Sequence, residues 1–254
     1  MLESVMAVAR EAGRMILKAR DSAVHQKEGH FNFVTDTDVA VQTYIRQELQ
    51  RVLPGSRFFA EEQENEPLTD APTFVVDPID GTINFMRGRG VSAVSIALLE
   101  NKAPVLGVIY DPFKDEMFVA EKGKGAFCNG ERIHVSEVPF SRAVTAFGTS
   151  PYDAELAEKG IAYARRFLLE GGDLRRCGSA AIDLCDVACG RAEIFFELRL
   201  RPWDVAAGSL IVTEAGGQFH SIGHDAPYYD GPSGMMACNQ RCAGDALRIL
   251  EMKA

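Results

Sequence analysis

The residues of this chain that could do chemistry are acidic and come in three widely separated groups. They are Glu61-Glu62, then Asp77-Pro78-Ile79-Asp80-Gly81-Thr82, then Asp204 in Pro202-Trp203-Asp204. No Lys or Arg in the first two segments balances these carboxylates, so a shared site would need positive charge from elsewhere, and hard divalent cations supply it. Asp77 and Asp80 can face one point, with the Ile79 carbonyl between them as a further hard oxygen ligand. Gly81 removes bulk beside them, and Thr82-Ile83-Asn84 can open a helical turn whose free N–H groups face an anion. A phosphate beside these acids is repelled without metal; with two or three Mg²⁺ ions the same acids become a phosphoryl site. The bland reading is an ordinary turn, because Asp-Pro and Asp-Gly are common turn dipeptides.

The elements that must position these groups can be read from the pattern. Arg57–Ala60 and Thr73–Val76 are strand-like runs that end at Glu61 and Asp77, and α/β folds keep their sites where strands end. Helices are expected over Leu2–Ala19 and, after Asp36-Thr37-Asp38, over Val39–Arg51, so Asp38 also reads as a cap of the second helix. Strands follow over Val91–Leu99, Val105–Tyr110, Glu116–Ala120, Gly125–Cys128 and Arg132–Val135, with Asn129-Gly130 as a hairpin turn. After Ser141 strands and helices alternate. Strands are expected at Ala143–Gly148, Asp173–Arg176, Ala192–Leu198, Gly217–His220 and Gly234–Cys238, and helices at Asp153–Leu169, Ala180–Cys189, Val205–Glu214 and Ala243–Met252. The expectation is a mixed α+β and α/β fold: one compact catalytic unit over residues 1–254, α+β with an antiparallel sheet over 1–140 and α/β over 141–254, with the site at the seam. Asp204 also reads as a cap for the helix after it.

Composition narrows the function classes. The chain has 254 residues, 46% of them hydrophobic, which gives ample core. A net charge of −9 argues against general affinity for nucleic acid or an anionic membrane. The first twenty residues read as an amphipathic soluble helix and not as a signal peptide, and Val91–Leu99 is too short to span a bilayer, so a cytoplasmic location is expected. Cys185/Cys189 and Cys238/Cys242 lack zinc-site spacing and read as reduced core thiols, and His220/His224 lack the Glu of a zinc-protease motif. A haloacid-dehalogenase-like aspartate loop is disfavoured, because it needs Asp-x-Asp and the spacing here is Asp-x-x-Asp.

Taken in order, Phe33-Val34-Thr35-Asp36-Thr37-Asp38, Ala60-Glu61-Glu62, Asp77 to Phe85, Gly178-Ser179-Ala180-Ala181, and Trp203-Asp204 to Gly208 with Glu214-Ala215-Gly216-Gly217 resemble the motifs of the inositol monophosphatase family. Those enzymes are Mg²⁺-dependent, lithium-sensitive phosphatases. The resemblance covers nearly the whole chain and implies a layered α-β-α-β-α sandwich of the inositol monophosphatase and fructose-1,6-bisphosphatase type. Ala60 stands where the family usually has Gly, and Ile83 where it usually has a second Thr; neither change removes a ligand.

By resemblance, Glu61, Asp77, the Ile79 carbonyl, Asp80 and Asp204 are implied as metal ligands, with Glu62 beside them, and Asp38 with Thr82 as the pair that activates water. Gly81 and Thr82 would bind phosphate, and Gly178, Ser179, Ala180 and Glu197 the alcohol part of the substrate, although Glu197 also reads as an ordinary rim acid. Lys27 matches a lysine near the metal-bound water in some relatives. Two or three Mg²⁺ ions are implied, with Mn²⁺ or Ca²⁺ as other occupants and Ca²⁺ and Li⁺ as inhibitors. The implied reaction is hydrolysis of inositol 1-phosphate by direct attack of metal-activated water, in a homodimer with no nucleic-acid or membrane partner. Fructose-1,6-bisphosphate, 3′-phosphoadenosine 5′-phosphate, NADP and histidinol phosphate are alternatives within the family. A non-catalytic regulatory protein is the competing class, and the intact acid set argues against it. Arg199 and Arg201 could bind a second phosphate or a carboxylate on the substrate, or simply face water.

Overall fold

The computed structural model describes residues 1–19, 23–26 and 33–250. Its elements run α1 (Leu2–Lys18), β1 (Val24–Gln26), β2 (Phe33–Thr35), α2 (Asp36–Val52), β3 (Arg57–Ala60), β4 (Thr73–Asp80), α3 (Thr82–Met86), β5 (Ala93–Glu100), β6 (Ala103–Asp111), β7 (Glu116–Glu121), β8 (Gly125–Cys128) and β9 (Glu131–Ile133). The second half continues with β10 (Val144–Phe147), α4 (Ala154–Glu170), β11 (Asp173–Arg175), α5 (Ala180–Ala188), β12 (Ile194–Leu200), α6 (Pro202–Glu214), β13 (Gln218–Ile222), β14 (Ser233–Cys238) and α7 (Ala243–Leu250). Among the described residues, no helix is long and apolar enough to cross a membrane.

Alternation along the strands dictates the layering. In β4, Phe74 and Val76 join one core with α1 and α2, while Val75 between them joins another with α5 and α6. In β12, Phe195 faces that second core, and Ile194 and Phe196 face a third with α4 and α7. Side chains two apart on a strand share a face, so each sheet separates two apolar layers. The order is therefore helix pair, sheet, helix pair, sheet, helix pair, as the sequence leads one to expect. The middle pair is buried on all sides, which is why α6 is apolar nearly all round, with Val205–Val212 all buried. Gly107 of β6 lets that helix approach, since a side chain there would begin 2.7 Å from the Ala207 carbonyl oxygen.

The larger sheet has the order β3-β4-β5-β6-β7-β8-β9 and is antiparallel except for the parallel pair β3/β4. Asn129 and Gly130 both have positive φ, at 50° and 85°, and form the tight β8–β9 hairpin that Asn-Gly favours. The smaller sheet has the order β11-β10-β12-β14-β13. It is parallel among β10, β11 and β12 and antiparallel where β14 joins β12 and β13. Local alternation does not reveal that reversal, because it depends on which strand β12 accepts as a neighbour. Two helices begin earlier than expected. Thr35, not Asp38, caps α2, and α6 starts at Pro202, so Asp38 and Asp204 each lie in a first helical turn.

Candidate active site at the seam

The parallel β3/β4 pair sets Ala60 beside Val76, so Glu61 and Asp77 leave adjacent strands together, and the Glu61 N–H donates to the Val76 carbonyl at 3.3 Å. Just beyond, the β4/β5 register shifts between Asp77 and Asp80. Pro78, which has no N–H to give a ladder, falls within this irregularity. The Ile79 N–H turns back to Asp77 Oδ1 at 3.0 Å. A bulge redirects side chains, and here it brings Asp80 back to the side of Asp77. Gly81 follows at φ +89°, where a side chain would begin 3.0 Å from the Val91 carbonyl oxygen and 3.2 Å from that of Gly178. Only a glycine tolerates both that conformation and those contacts.

The remaining pieces come from helix N-termini. Asp38, fully buried in the first turn of α2, uses Oδ2 to accept from the Thr35 N–H at 2.8 Å and from the Thr35 hydroxyl. Its Oδ1 accepts from the Thr82 hydroxyl at 3.3 Å, which also lies 3.2 Å from the Ile79 carbonyl oxygen. On the far side, Asp80 Oδ2 accepts from the Ser179 hydroxyl and, at 2.8 Å, from the Ala181 N–H. The N-terminus of α5 thus grips a carboxylate from the first half of the chain. Asp204 Oδ2 accepts from the Arg201 N–H at 2.6 Å, which fixes it in the first turn of α6. The Ser95 hydroxyl ties Trp203 to β5 at 3.2 Å.

Carboxylate oxygens of Asp77, Asp80 and Asp204 lie within 4.8 Å of one another. Burial pushes the Asp77 carboxyl well above its ordinary range, with Glu61, Asp80, Asp204 and Asp38 adding repulsion. Burial raises Asp204 in the same way, with Asp80 and Glu61 as the main neighbours. Burial raises Asp80 to about 6, against the downward pull of the Ser179 and Ala181 hydrogen bonds. Like charges this close resist ionising together, and a hard cation removes the conflict. These donors fit such an ion: Asp77, Asp80 and Asp204 would hold it, with Glu61 and the Ile79 carbonyl as further oxygens beside them.

A carboxyl whose folded-state pKa is raised favours folding below its ordinary range and loses that contribution as pH rises through the folded value. For Asp80 that loss sets in above its ordinary value of 3.8 and is complete once pH has passed through about 6. Protons and a divalent cation would compete for the same oxygens, so Mg²⁺ added as a probe is expected to raise Tm more at about pH 8 than at about pH 5.5. Thermal denaturation with and without Mg²⁺ checks this. Equal shifts at both pH values would count against these acids as the binding site.

The other expected site residues take varied places. Glu197 lies on β12, where the Ser150 N–H donates to its Oε1 at 2.9 Å and the Ser150 hydroxyl at 3.2 Å. Burial lifts its carboxyl to about 7 against the pull of those bonds. Gly178, Ser179 and Ala180 sit at the start of α5, and Ser179 is spent on Asp80. Glu62 follows Glu61 at the end of β3. Its N–H donates to Gln42 at 2.9 Å, and it helps to line a cavity of about 620 Å³ along α2 with Gln42 and Arg46. Lys27 lies outside the described residues. Arg199 pairs with Asp153 at 3.4 Å, and Arg201 lies over the Trp203 ring at 5.9 Å. The cysteines of the described chain are free thiols.

Several contributors escape a reading of the sequence. Buried Asn84 stitches the two halves together: its Nδ2 donates to the Cys177 carbonyl at 2.9 Å and its Oδ1 accepts from Arg89 at 2.9 Å. Ser150 anchors Glu197 from 47 residues away, and nothing local signals it. Thr35 was legible, because Thr35-x-x-Asp38 is a capping-box pattern and both of its hydrogen bonds form.

The chain matches the model of the inositol monophosphatase family over residues 1–251. It is 40% identical over 225 residues to inositol monophosphatase 3 of Solanum lycopersicum, covering 85% of this chain and 84% of the relative. It is 38% identical over 231 residues to the Nus factor SuhB of Xylella fastidiosa, covering 87% and 82%. Its fold matches the solved structure of an IMPase from Thermotoga maritima with a TM-score of 0.89 at 31% identity, covering 98% of this chain and 96% of that one. With this match running the length of the chain and an acid cluster suited to metal at its seam, the protein belongs to the inositol monophosphatase family, and is a phosphoric monoester hydrolase.

Proposed function

We propose that the protein hydrolyses a small polyol or sugar phosphate in a Mg²⁺-dependent reaction, with inositol 1-phosphate as the first substrate to test. The observation that carries this reading is the meeting of Asp77, Asp80 and Asp204 at one point, drawn from both halves of the chain, with the Thr82–Asp38 pair beside Asp80. The inositol monophosphatase names of relatives such as the tomato protein support the choice of substrate. Sugar bisphosphates and nucleotide or histidinol phosphates are the alternatives within the family.

Bound Mg²⁺ would supply charge to polarise the phosphoryl group, acidify a water molecule and stabilise the leaving oxygen. The chain's own residues do the rest. Thr82 takes a proton from the attacking water at Oγ1 as its own hydroxyl proton passes to Asp38 Oδ1. Thr35 keeps Asp38 in place by occupying the other oxygen. The N–H groups of Gly81 and Thr82 bind phosphate oxygens, while Ser179 and Ala181 fix the direction of Asp80. No Ser, Cys or His of these motifs takes part as a covalent nucleophile. Glu197, anchored by Ser150, accepts hydroxyl protons of the polyol as hydrogen bonds.

Release of inorganic phosphate from a panel of phosphate monoesters tests this reading. Inositol 1-phosphate is expected to be turned over with Mg²⁺ and not after chelation, and Li⁺ at submillimolar to millimolar levels to inhibit by occupying one position of the metal clamp. Equal turnover in the presence of a chelator would exclude the reading.

A further inference from the structure

We propose that Arg176 is a specificity residue that reads a second anionic group on the substrate, so that the site favours polyol or sugar phosphates carrying another phosphate or a carboxylate. This rests on the phosphatase reading above and specifies its substrate class.

Glu61, Asp77, Asp80, Asp204 and Glu197 form an acidic cluster, and a cation at its edge is conspicuous. Arg176 lies in the segment between β11 and α5, directly before Cys177 and Gly178. Its Nη2 donates to Thr149 Oγ1 at 3.3 Å, in the loop between β10 and α4. A side chain on Gly178 would begin 3.3 Å from its Nη1. The guanidinium therefore lies between the Gly178–Ala180 turn and the loop whose Ser150 holds Glu197. It is also close enough to Glu197 to pull that carboxyl's pKa downward.

Among the described residues, Arg176 makes no ion pair, and its side chain is exposed. The other arginines of this region are committed elsewhere. Arg199 pairs with Asp153, Arg201 lies over Trp203, and Arg89 donates to Asn84. Arginine is suited to oxyanions because its planar donors can meet two oxygens at once. Glu197 packs directly against Gly148, where a side chain would begin 1.8 Å from its Oε2, so the glycine is what lets this carboxylate lie against the loop. Tyr152, on the same loop and 55% exposed, adds an aromatic ring to this rim. A ligand seated there would present hydroxyls to Glu197 and an oxyanion to Arg176.

The test compares three probes in the parent protein, Arg176→Ala and Arg176→Lys. The probes are inositol 1-phosphate, fructose-1,6-bisphosphate and 6-phosphogluconate. They carry no second anion, a second phosphate and a carboxylate, respectively. Arg176→Ala is expected to lower kcat/KM for the doubly anionic probes by about tenfold or more, mainly through KM, and to change inositol 1-phosphate by less than about twofold. Arg176→Lys should restore part of the loss, because it keeps the charge without the fork. A loss confined to the bisphosphate or to 6-phosphogluconate identifies which oxyanion is read. Equal effects on all three probes, or none on the doubly anionic ones, would overturn the proposal. If the parent hydrolyses no probe, the phosphatase reading fails by itself. Calorimetric binding of the same three compounds then decides the role of Arg176: selective weakening of the doubly anionic ligands in Arg176→Ala supports it, and uniform or absent weakening rejects it.

Discussion

Asp80→Asn is expected to abolish most turnover while leaving the fold intact. The side-chain oxygen of Asn can still accept from Ser179 and Ala181, so the grip of α5 on this position survives. What is lost is negative charge toward the cation, which is worth several kcal/mol at a metal-assisted centre. We expect kcat to fall by at least about 100-fold, or ~3 kcal/mol of barrier. Removing one of several buried like charges should leave the metal-free Tm unchanged or slightly higher, because Asp80 adds to the repulsion on Asp77 and Asp204. The same variant should lose much of its Mg²⁺-induced stabilisation. Steady-state kinetics and thermal denaturation together read both effects. Near-parental turnover at limiting Mg²⁺ would remove Asp80 from the ligand set.

Thr82→Ala carries the second large effect, of a different kind. The hydroxyl sits between Asp38 and the Ile79 carbonyl and is half-buried, so its removal opens little space. Its work is in the proton transfer, and positioned acid–base groups contribute about 10² to 10⁴ in rate. The expected outcome is a kcat lower by about 100-fold with KM nearly unchanged, since an interaction made in the transition state lowers kcat without weakening ground-state binding. Thr82→Ser should retain a good part of the activity. A rise in KM with kcat preserved would place the hydroxyl in substrate binding.

How far the sequence reaches differs between fold and site. Strands and helices with strong local patterns, such as α1, β5 to β8 and α5, are legible because alternation and helical spacing are properties of neighbouring residues. The layering enters through the family resemblance, and the structure gives its physical reason: β4 and β12 are buried on both faces and α6 all round, so they lie between other layers. The short β1/β2 ribbon is not legible. Three-residue strands with exposed positions leave no periodic signal. The helices start earlier, at Asp36 and Pro202, than the acids Asp38 and Asp204 suggest when each is read as a cap, because the Thr35-x-x-Asp38 capping box and a proline at the first helical position set the true starts. At the site, Asp77 and Asp80 announce themselves by spacing. Their partners do not: Ser179 reaches Asp80 across 99 residues and Asn84 reaches Cys177 across 93. Contacts of that separation depend on how two sheets dock, and no window of sequence contains both ends. Arg176 shows the same limit. In the sequence Arg199 and Arg201 stood out as cations near Asp204, yet the fold engages both locally and leaves Arg176 open at the rim.

The central claim is that water, deprotonated through Thr82 and Asp38, attacks phosphorus directly. Hydrolysis of a chiral thiophosphate monoester in isotopically labelled water, with the configuration of the released thiophosphate determined, tests that claim most directly. A single in-line displacement inverts configuration at phosphorus, and inversion is the predicted result. Retention would require two displacements and a phosphorylated enzyme, and would contradict the account.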